Sequence, residues 1–256
     1  MILDEVKKNY VLDLLKDNKR ADGRGLLDYR PITVQKGILP NAEGSALVTL
    51  GGTKVLAGIK FDLVTPFSDR PDEGVFMVNA EFTLGANPKF EPGPPGEEAV
   101  ELARVVDRGI RSAEVVDSKS LFIAEGKAYG LYVDLYILDH TGNMTDTAAL
   151  AAMAALTDTK VPVVEDGKIV REKFTGPLDI SKRVTTCSFE KIGGKMVLDA
   201  TEDEEIASDG RVTLATAEGG LIVAGQKSGW TGFTRAEMSE LMDLALEKGR
   251  ELSSKL

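Results

Sequence analysis

The stretch LYVDLYILDHTGNMTDTAALAAMAAL, residues 131–156, indicates the architecture of the chain. Its first part, LYVDLYIL, is typical of a strand, and a Gly-Asn turn follows it. The second part, residues 145–156, is rich in alanine and predicts a helix. Because alanine side chains are small, this helix can pack closely against a sheet. The pair favours a protein in which helices and sheets share a core.

Paired strands joined by short turns flank this unit. Glycines 51–52 separate SALVTL from KVLAGIKF, and glycines 193–194 separate VTTCSFEKI from KMVLDA. A shorter pair turns at residues 166–167, and RVTLATA precedes GLIVAGQKS. These patterns predict β-hairpins. Residues 75–84, VFMVNAEFTL, predict a strand that is buried on both faces.

Three further helices follow from periodicity and cap signals. Residues 4–18 predict a helix whose apolar face contains Val6, Tyr10, Val11, Leu14 and Leu15. After the break EPGPPG, a helix is expected over residues 97–116, with acids in its first turn. The last helix begins at Thr234, which forms a capping box with Glu237. Its apolar face contains Met238, Leu241, Met242 and Ala245.

The order of hairpins and helices repeats once along the chain. It predicts an α+β protein of two similar halves with a seam near residues 157–180. We expect an N-terminal helix and connector over residues 1–30, a first half over 31–160, and a second half with the C-terminal helix over 161–256.

Composition narrows the class of function. The chain has 256 residues, of which 43% are hydrophobic and 28% charged, and its net charge is −10. Nucleic-acid binding usually needs basic surface, so any RNA contact requires a local arginine cluster or a more basic partner. We expect a cytoplasmic protein without a membrane span, because no long apolar run is present and the single cysteine, Cys187, cannot form an internal disulfide.

An acidic run, VLDATEDEEIASDG over residues 197–210, is the first candidate site. Its carboxylates are Asp199, Glu202, Asp203, Glu204, Glu205 and Asp209. A calcium loop needs alternating oxygens around a central glycine, and this run lacks both. A solvated turn is the default interpretation of such a charge run. A general acid/base pair stays open, because Asp199 lies at the end of a predicted strand.

An arginine stripe is the second candidate. Arg104, Arg108 and Arg111 lie four and three residues apart on one face of the helix predicted after EPGPPG. Guanidinium groups in such a row can bind successive phosphates. Glu101 and Asp107 lie within reach of them, so a salt-bridged solvent face is the alternative.

Three other motifs give no prediction of a functional site. His140 has no second histidine for a triad or zinc site, so we interpret it as a turn residue and expect no metal. Cys187 is expected to be a small buried apolar residue. The run over residues 220–228 has the glycines of a phosphate loop but the pattern of a strand, and we reject it as a phosphate cradle.

Several segments together resemble the RNase PH family. These are RADGR at 20–24, YRP at 29–31 and PGPPGEEAVELARVVDRGIR at 92–111, with VDLYILD, TAALAAMAAL and VLDATEDEE in the same order. The proline-rich block is similar to the non-catalytic RNase PH-like subunit of the archaeal exosome. The resemblance covers residues 5 to 250.

The resemblance implies an RNase PH-type fold, with two βαβ-rich subdomains, mixed sheets and flanking helices. It implies a ring, a trimer of heterodimers with a catalytic homologue, together with RNA-binding cap proteins. In such rings RNA passes through a central channel. Inorganic phosphate attacks its 3′ end and releases nucleoside diphosphates, with no further cofactor.

The chain departs from the active family pattern at three places. Active members have two aspartates six positions apart, whereas this chain has Asp199 and Glu205. They place a Thr-Arg pair at the start of the alanine-rich helix, where this chain has Thr145 and Asp146. They also have arginines where this chain has acids at 97–98. An acid at a helix N-terminus repels phosphate, so we predict no catalytic residue and a solvated acidic run.

The resemblance also favours RNA contact for the arginine stripe. Arg104 and Arg108 match the family block, and Arg111 shares their face. The sequence therefore predicts an RNA-binding, non-catalytic ring subunit that helps shape the active site of its neighbour. A self-sufficient phosphorolytic 3′-5′ exoribonuclease and a ring element without RNA contact are the alternatives.

Overall fold

The computed structural model describes residues 2–256, which form five α-helices and twelve strands. The helices are α1 (Ile2–Lys16), α2 (Glu97–Ser112), α3 (Met144–Asp158), α4 (Glu202–Ala207) and α5 (Arg235–Ser253). The strands are β1 (Ile32–Lys36), β2 (Gly44–Leu50), β3 (Thr53–Val64), β4 (Val75–Phe82), β5 (Phe122–Ala124), β6 (Lys127–Asp139), β7 (Lys160–Glu165), β8 (Lys168–Pro177), β9 (Val184–Ile192), β10 (Lys195–Leu198), β11 (Gly210–Ala217) and β12 (Leu221–Gly229).

The first sheet has the order β1-β2-β3-β6-β4, with β5 beside β6. β4 runs parallel to β6, and α2 lies in the crossover between them, which makes a βαβ unit. The other pairs in this sheet are antiparallel, so the sheet is mixed. The α+β fold class and the hairpin at glycines 51–52 are confirmed.

The prediction that residues 75–84 are buried on both faces is wrong. β4 is an edge strand, and its residues alternate between the core and solvent. Phe76 and Val78 are buried beneath α2, whereas Met77 is 44% exposed. An edge strand with one covered face needs apolar residues only at every second position.

The second sheet has the order β10-β9-β11-β12 and is antiparallel, while β7 and β8 form a separate pair. The turns predicted at 166–167 and 193–194 are confirmed, and residues 220–228 fall in and beside strand β12, not in a phosphate loop. α3 packs against β2 and β3 on one side and β9 on the other. Residues 146–156 of α3 are buried all round, which small alanine side chains permit.

The apolar face predicted for the first helix is only partly correct. Val11 and Leu15 are buried in a small cluster with Ile192, but Val6 is 58% and Tyr10 55% exposed. α1 rests on α4, so only its C-terminal half meets the second sheet. Within residues 2–256, no helix is long and apolar enough to cross a membrane.

α5 covers the outer face of β9 and β11. The predicted capping box is present: the Glu237 backbone N–H donates to Thr234 Oγ1 at 3.2 Å, and the Thr234 N–H donates to Glu237 Oε2 at 2.7 Å. Leu241 and Ala245 are buried as predicted, whereas Met242 is 40% exposed.

Candidate nucleic-acid interface

The arginine stripe lies on the exposed face of α2. Arg111 is held within the chain: it donates to both carboxylate oxygens of Asp107, at 3.0 and 2.8 Å, and to the Phe76 carbonyl at 2.7 Å. Its guanidinium also lies over the Phe76 ring, 5.5 Å from the centroid. Arg111 therefore anchors α2 to the edge strand β4.

Arg104 and Arg108 differ from Arg111. The Gln226 side-chain amide donates to Glu101 at 2.5 Å, and Asp107 is engaged by Arg111. Across residues 2–256, no carboxylate lies within ion-pair distance of Arg104 or Arg108. Both side chains are exposed, so two free guanidinium groups lie one helical turn apart and can contact successive phosphates.

A pocket of about 490 Å³ adjoins this face. The N-terminal half of α2, the start of α3, α4 and strands β11 and β12 form its walls. Its carboxylates Glu98, Glu101, Glu202 and Glu205 outnumber its full cations, Lys89 and Arg211. Lys89 pairs with Glu202 at 2.9 Å. The pocket lining is therefore net negative, which opposes the entry of an anion.

The prediction that the acidic run is solvated is wrong for Asp199 and Glu204, which are buried. The run forms the short helix α4 with a capping box between Thr201 and Glu204. Asp199 is fully buried, and both Arg24 and Arg30 bind its carboxylate, with nitrogen–oxygen distances of 2.7–2.9 Å. Asp203 alone matches the expectation, with half of its side chain exposed beside Lys7.

The RADGR segment explains this burial. Arg20 forms a bidentate pair with Glu204, at 2.9 and 2.6 Å, with both side chains almost wholly buried. Arg20 also donates to the carbonyls of Leu198 and Asp199. The connector after α1 therefore fastens α4 to the second sheet. Sequence reasoning missed this role, although two arginines in a connector that faces an acidic run were the available signal.

Arg30 reaches Asp199 across a tight turn. Gly51 lies in that turn with φ +58°, and a side chain there would come within 2.4 Å of Arg30 Cδ. Glycine is required both for the backbone conformation and for the passage of the arginine. The family-like segments RADGR and YRP thus converge on one buried carboxylate.

Glu205 belongs to α4, and its carboxylate lies at the N-terminus of α3. Its Oε1 accepts the backbone N–H of Asn143 at 2.9 Å and a guanidinium N–H of Arg211 at 2.9 Å. Arg211 also donates to Glu190. Burial raises the pKa of Glu205, and the Arg211 charge opposes this rise. A carboxylate of the chain therefore fills the place that an anion would take at this helix end.

Asp146 lies elsewhere than predicted. It is 2% exposed and turned inward, accepting hydrogen bonds from the Ser188 hydroxyl at 2.7 Å and the Ser188 N–H at 3.0 Å. The Asn143 amide donates to both Asp146 and Asp199, at 3.0 Å each. Burial raises the pKa of Asp146 to about 6. The expectation that Asp146 presents its carboxylate to an incoming phosphate is wrong in its orientation, because the carboxylate is turned inward and binds Ser188 of β9.

His140 is a wall residue of the pocket just after β6, stacked 6.0 Å from Phe90. Burial lowers the pKa of His140, so the ring is neutral at pH 7. Cys187 is buried, as expected. In the described part of the chain, residues 2–256, no group of three His, Cys, Asp or Glu side chains is arranged to hold a metal.

Comparison with known proteins gives a consistent result. The sequence model of the 3′ exoribonuclease family, domain 1, matches residues 28–162, and that of domain 2 matches residues 182–248. The chain is 42% identical over 260 residues to the exosome complex component Rrp42 of Thermococcus onnurineus, covering 100% of this chain and 96% of the relative. It is 41% identical to Rrp42 of Methanothermobacter thermautotrophicus, covering 98% and 94%.

Solved structures match over the same length. A chain of the Archaeoglobus fulgidus exosome with RNA bound to the active site superposes with a TM-score of 0.92 at 41% identity, covering 100% of this chain and 99% of that one. Rice Rrp46 superposes with a TM-score of 0.70 at 18% identity, covering 92% and 97%, which supports the fold alone.

Proposed function

Because the chain belongs to the 3′ exoribonuclease family, with both of its domains, we propose that it is a non-catalytic, RNA-binding subunit of an archaeal exosome ring. It supports 3′-to-5′ phosphorolysis by a catalytic homologue, with which it alternates as a trimer of heterodimers. RNA-binding cap proteins dock on the ring, which works in the cytoplasm. Relatives named Rrp42 at about 42% identity over the full length support this proposal.

One observation supports a subunit that binds RNA without catalysing its cleavage. Two unpaired arginines lie beside a pocket in which the hydrogen-bond donors that could bind an anion already have partners within the chain. Phosphorolysis needs a bound phosphate and a free acid, and electrostatic stabilisation is usually a large part of catalysis. Here Asp199 is bound by two arginines, and Glu205 occupies the helix end. Both carboxylates are therefore already engaged within the chain, which supports a non-catalytic role.

Arg104 and Arg108 supply the RNA contact. Their charges are not neutralised within the chain. Arg108 lies at the rim between α2 and β12, and Arg104 lies one helical turn before it on the exposed face of α2. They bind backbone phosphates and position the 3′ end for the neighbouring active site, so their contribution does not depend on RNA sequence. Arg111 contributes less, because RNA would have to displace Asp107 and Phe76 from it.

The absence of activity is tested with the chain alone and in complex with its catalytic partner. RNA and inorganic phosphate are added, and nucleoside diphosphates are quantified by chromatography. We expect release only from the complex. Release by the purified chain alone would instead identify a self-sufficient exoribonuclease.

The RNA contact is tested in the assembled ring with Arg104→Glu and Arg108→Glu combined. We expect weaker RNA binding, with the slope of log affinity against log salt reduced by about 1.4 for two lost single-strand phosphate contacts. Arg235→Glu combined with Arg250→Glu, two exposed substitutions on α5 with the same total change in charge, is the matched control. Unchanged affinity and slope in the double variant would favour a ring element without RNA contact.

A further inference from the structure

We propose that Glu205 is the residue that excludes oxyanions from the pocket, by acting as a built-in substitute for phosphate at the N-terminus of α3. The same carboxylate oxygen accepts both a backbone N–H and a guanidinium N–H, from Asn143 and Arg211. These are the two kinds of donor that protein phosphate sites use. Glu205 binds them from within the chain, so an external anion must displace it.

The position of Glu205 distinguishes it from the other acids near this helix end. Asp146 belongs to the first turn of α3, but its carboxylate is bound to Ser188 and does not line the pocket. Asp199 is fully buried among arginines. Glu202 lines the pocket but pairs with Lys89. Glu205 alone among these four contacts both the α3 backbone and the pocket arginine.

The effective concentration of an attached carboxylate explains why this contact excludes a dissolved ion. An intramolecular group competes at concentrations far above those of free phosphate, because it loses little translational entropy on binding. Removing the carboxylate leaves the Asn143 N–H and one guanidinium nitrogen of Arg211 without their acceptor beside the pocket, while Arg211 stays paired with Glu190. Charge-assisted hydrogen bonds each contribute about 1.5–3 kcal/mol, which corresponds to about tenfold or more in anion affinity.

The test is a phosphate titration of the isolated full-length chain, followed by backbone amide NMR. Glu205→Ser is expected to show saturable shifts at Asn143 and Thr145 at phosphate concentrations that leave the wild-type amides unshifted, a gain in affinity of at least about tenfold. Asp203→Ser is the matched control. It removes the same charge from the same helix, but Asp203 pairs with Lys7 on α1, away from these donors.

Three outcomes overturn the proposal: no shift in Glu205→Ser, an equal shift in Asp203→Ser, or a gain in Asp146→Asn instead. The wild-type chain provides a second measurement that does not require any variant to fold. Its Asn143 amide must stay insensitive to phosphate, and a saturable shift there contradicts the proposal. The inference extends the proposed function, but the two fail separately. Phosphate binding needs neither RNA nor the ring, whereas the RNA role is judged by the arginine variants.

Discussion

Replacing Asp146 with asparagine isolates the free-energy cost of keeping a charge in the core. The carboxyl is 2% exposed, and its pKa is raised from 3.8 to about 6 by burial, despite hydrogen bonds from Asn143 and Ser188. Asparagine has nearly the same shape and cannot ionise. The difference in stability between the two proteins therefore reports the ionisation of this one group.

The sign follows from linkage. Between the two pKa values the folded chain binds a proton that the unfolded chain has released, so the wild type loses stability as the pH rises. A shift of roughly 2 units at about 1.36 kcal/mol each corresponds to about 3 kcal/mol. We expect the free energy of unfolding of Asp146→Asn to rise by about 3 kcal/mol relative to the wild type between about pH 3.5 and pH 6.5. The difference should level off above about pH 6.

Urea unfolding followed by circular dichroism over this pH range measures the difference. Thr145→Asn is the control, because it introduces the same amide in the same turn of α3 without removing a carboxylate. Its stability relative to the wild type should not vary with pH. If the stability difference between Asp146→Asn and the wild type also does not vary with pH, the claim that ionisation of the buried Asp146 destabilises the fold is refuted.

Two further substitutions test buried contacts outside the pocket, one on α4 and one on α5. Glu204→Ala leaves Arg20 buried without its partner and should cost about 3–5 kcal/mol in urea unfolding, whereas the double change Arg20→Met with Glu204→Leu should cost less than Glu204→Ala alone. Gly249→Ala places a methyl group 2.1 Å from Thr216 Oγ1. Overpacking costs about 1–3 kcal/mol, against a gain in helix propensity of about 1 kcal/mol. The substitution should therefore lower the melting temperature. An unchanged melting temperature would show that α5 can move away from the sheet without cost.

Local chemistry explains which predictions were correct. The hairpins at glycines 51–52 and 193–194 follow from turn residues next to the strands they join, and the cap at Thr234 from a partner three residues away. The strand and alanine-rich helix of residues 131–156 likewise depend on neighbours in sequence. Such signals act over a few residues and are visible without any tertiary contact.

The candidate site depended on contacts that sequence spacing does not reveal. Arg104 and Arg111 look equivalent on a helical wheel, yet only Arg111 contacts the edge strand, where it donates to the Phe76 carbonyl. Likewise, burial of β4 on one face only follows from its place at the sheet edge, which the strand order decides.

The chain's family, and its departures from the pattern expected of active members, were predictable from the sequence alone, because both depend on which side chains are present. The orientation of each acid was not. Arg20 and Glu204 are separated by 184 positions, and their contact buries Glu204 within a run that the sequence suggests is solvated. Folding also turns Asp146 away from the pocket and Glu205 toward it. Burial and charge pairing arise from distant segments that meet only in the folded chain, so they decide which carboxylate lines the pocket.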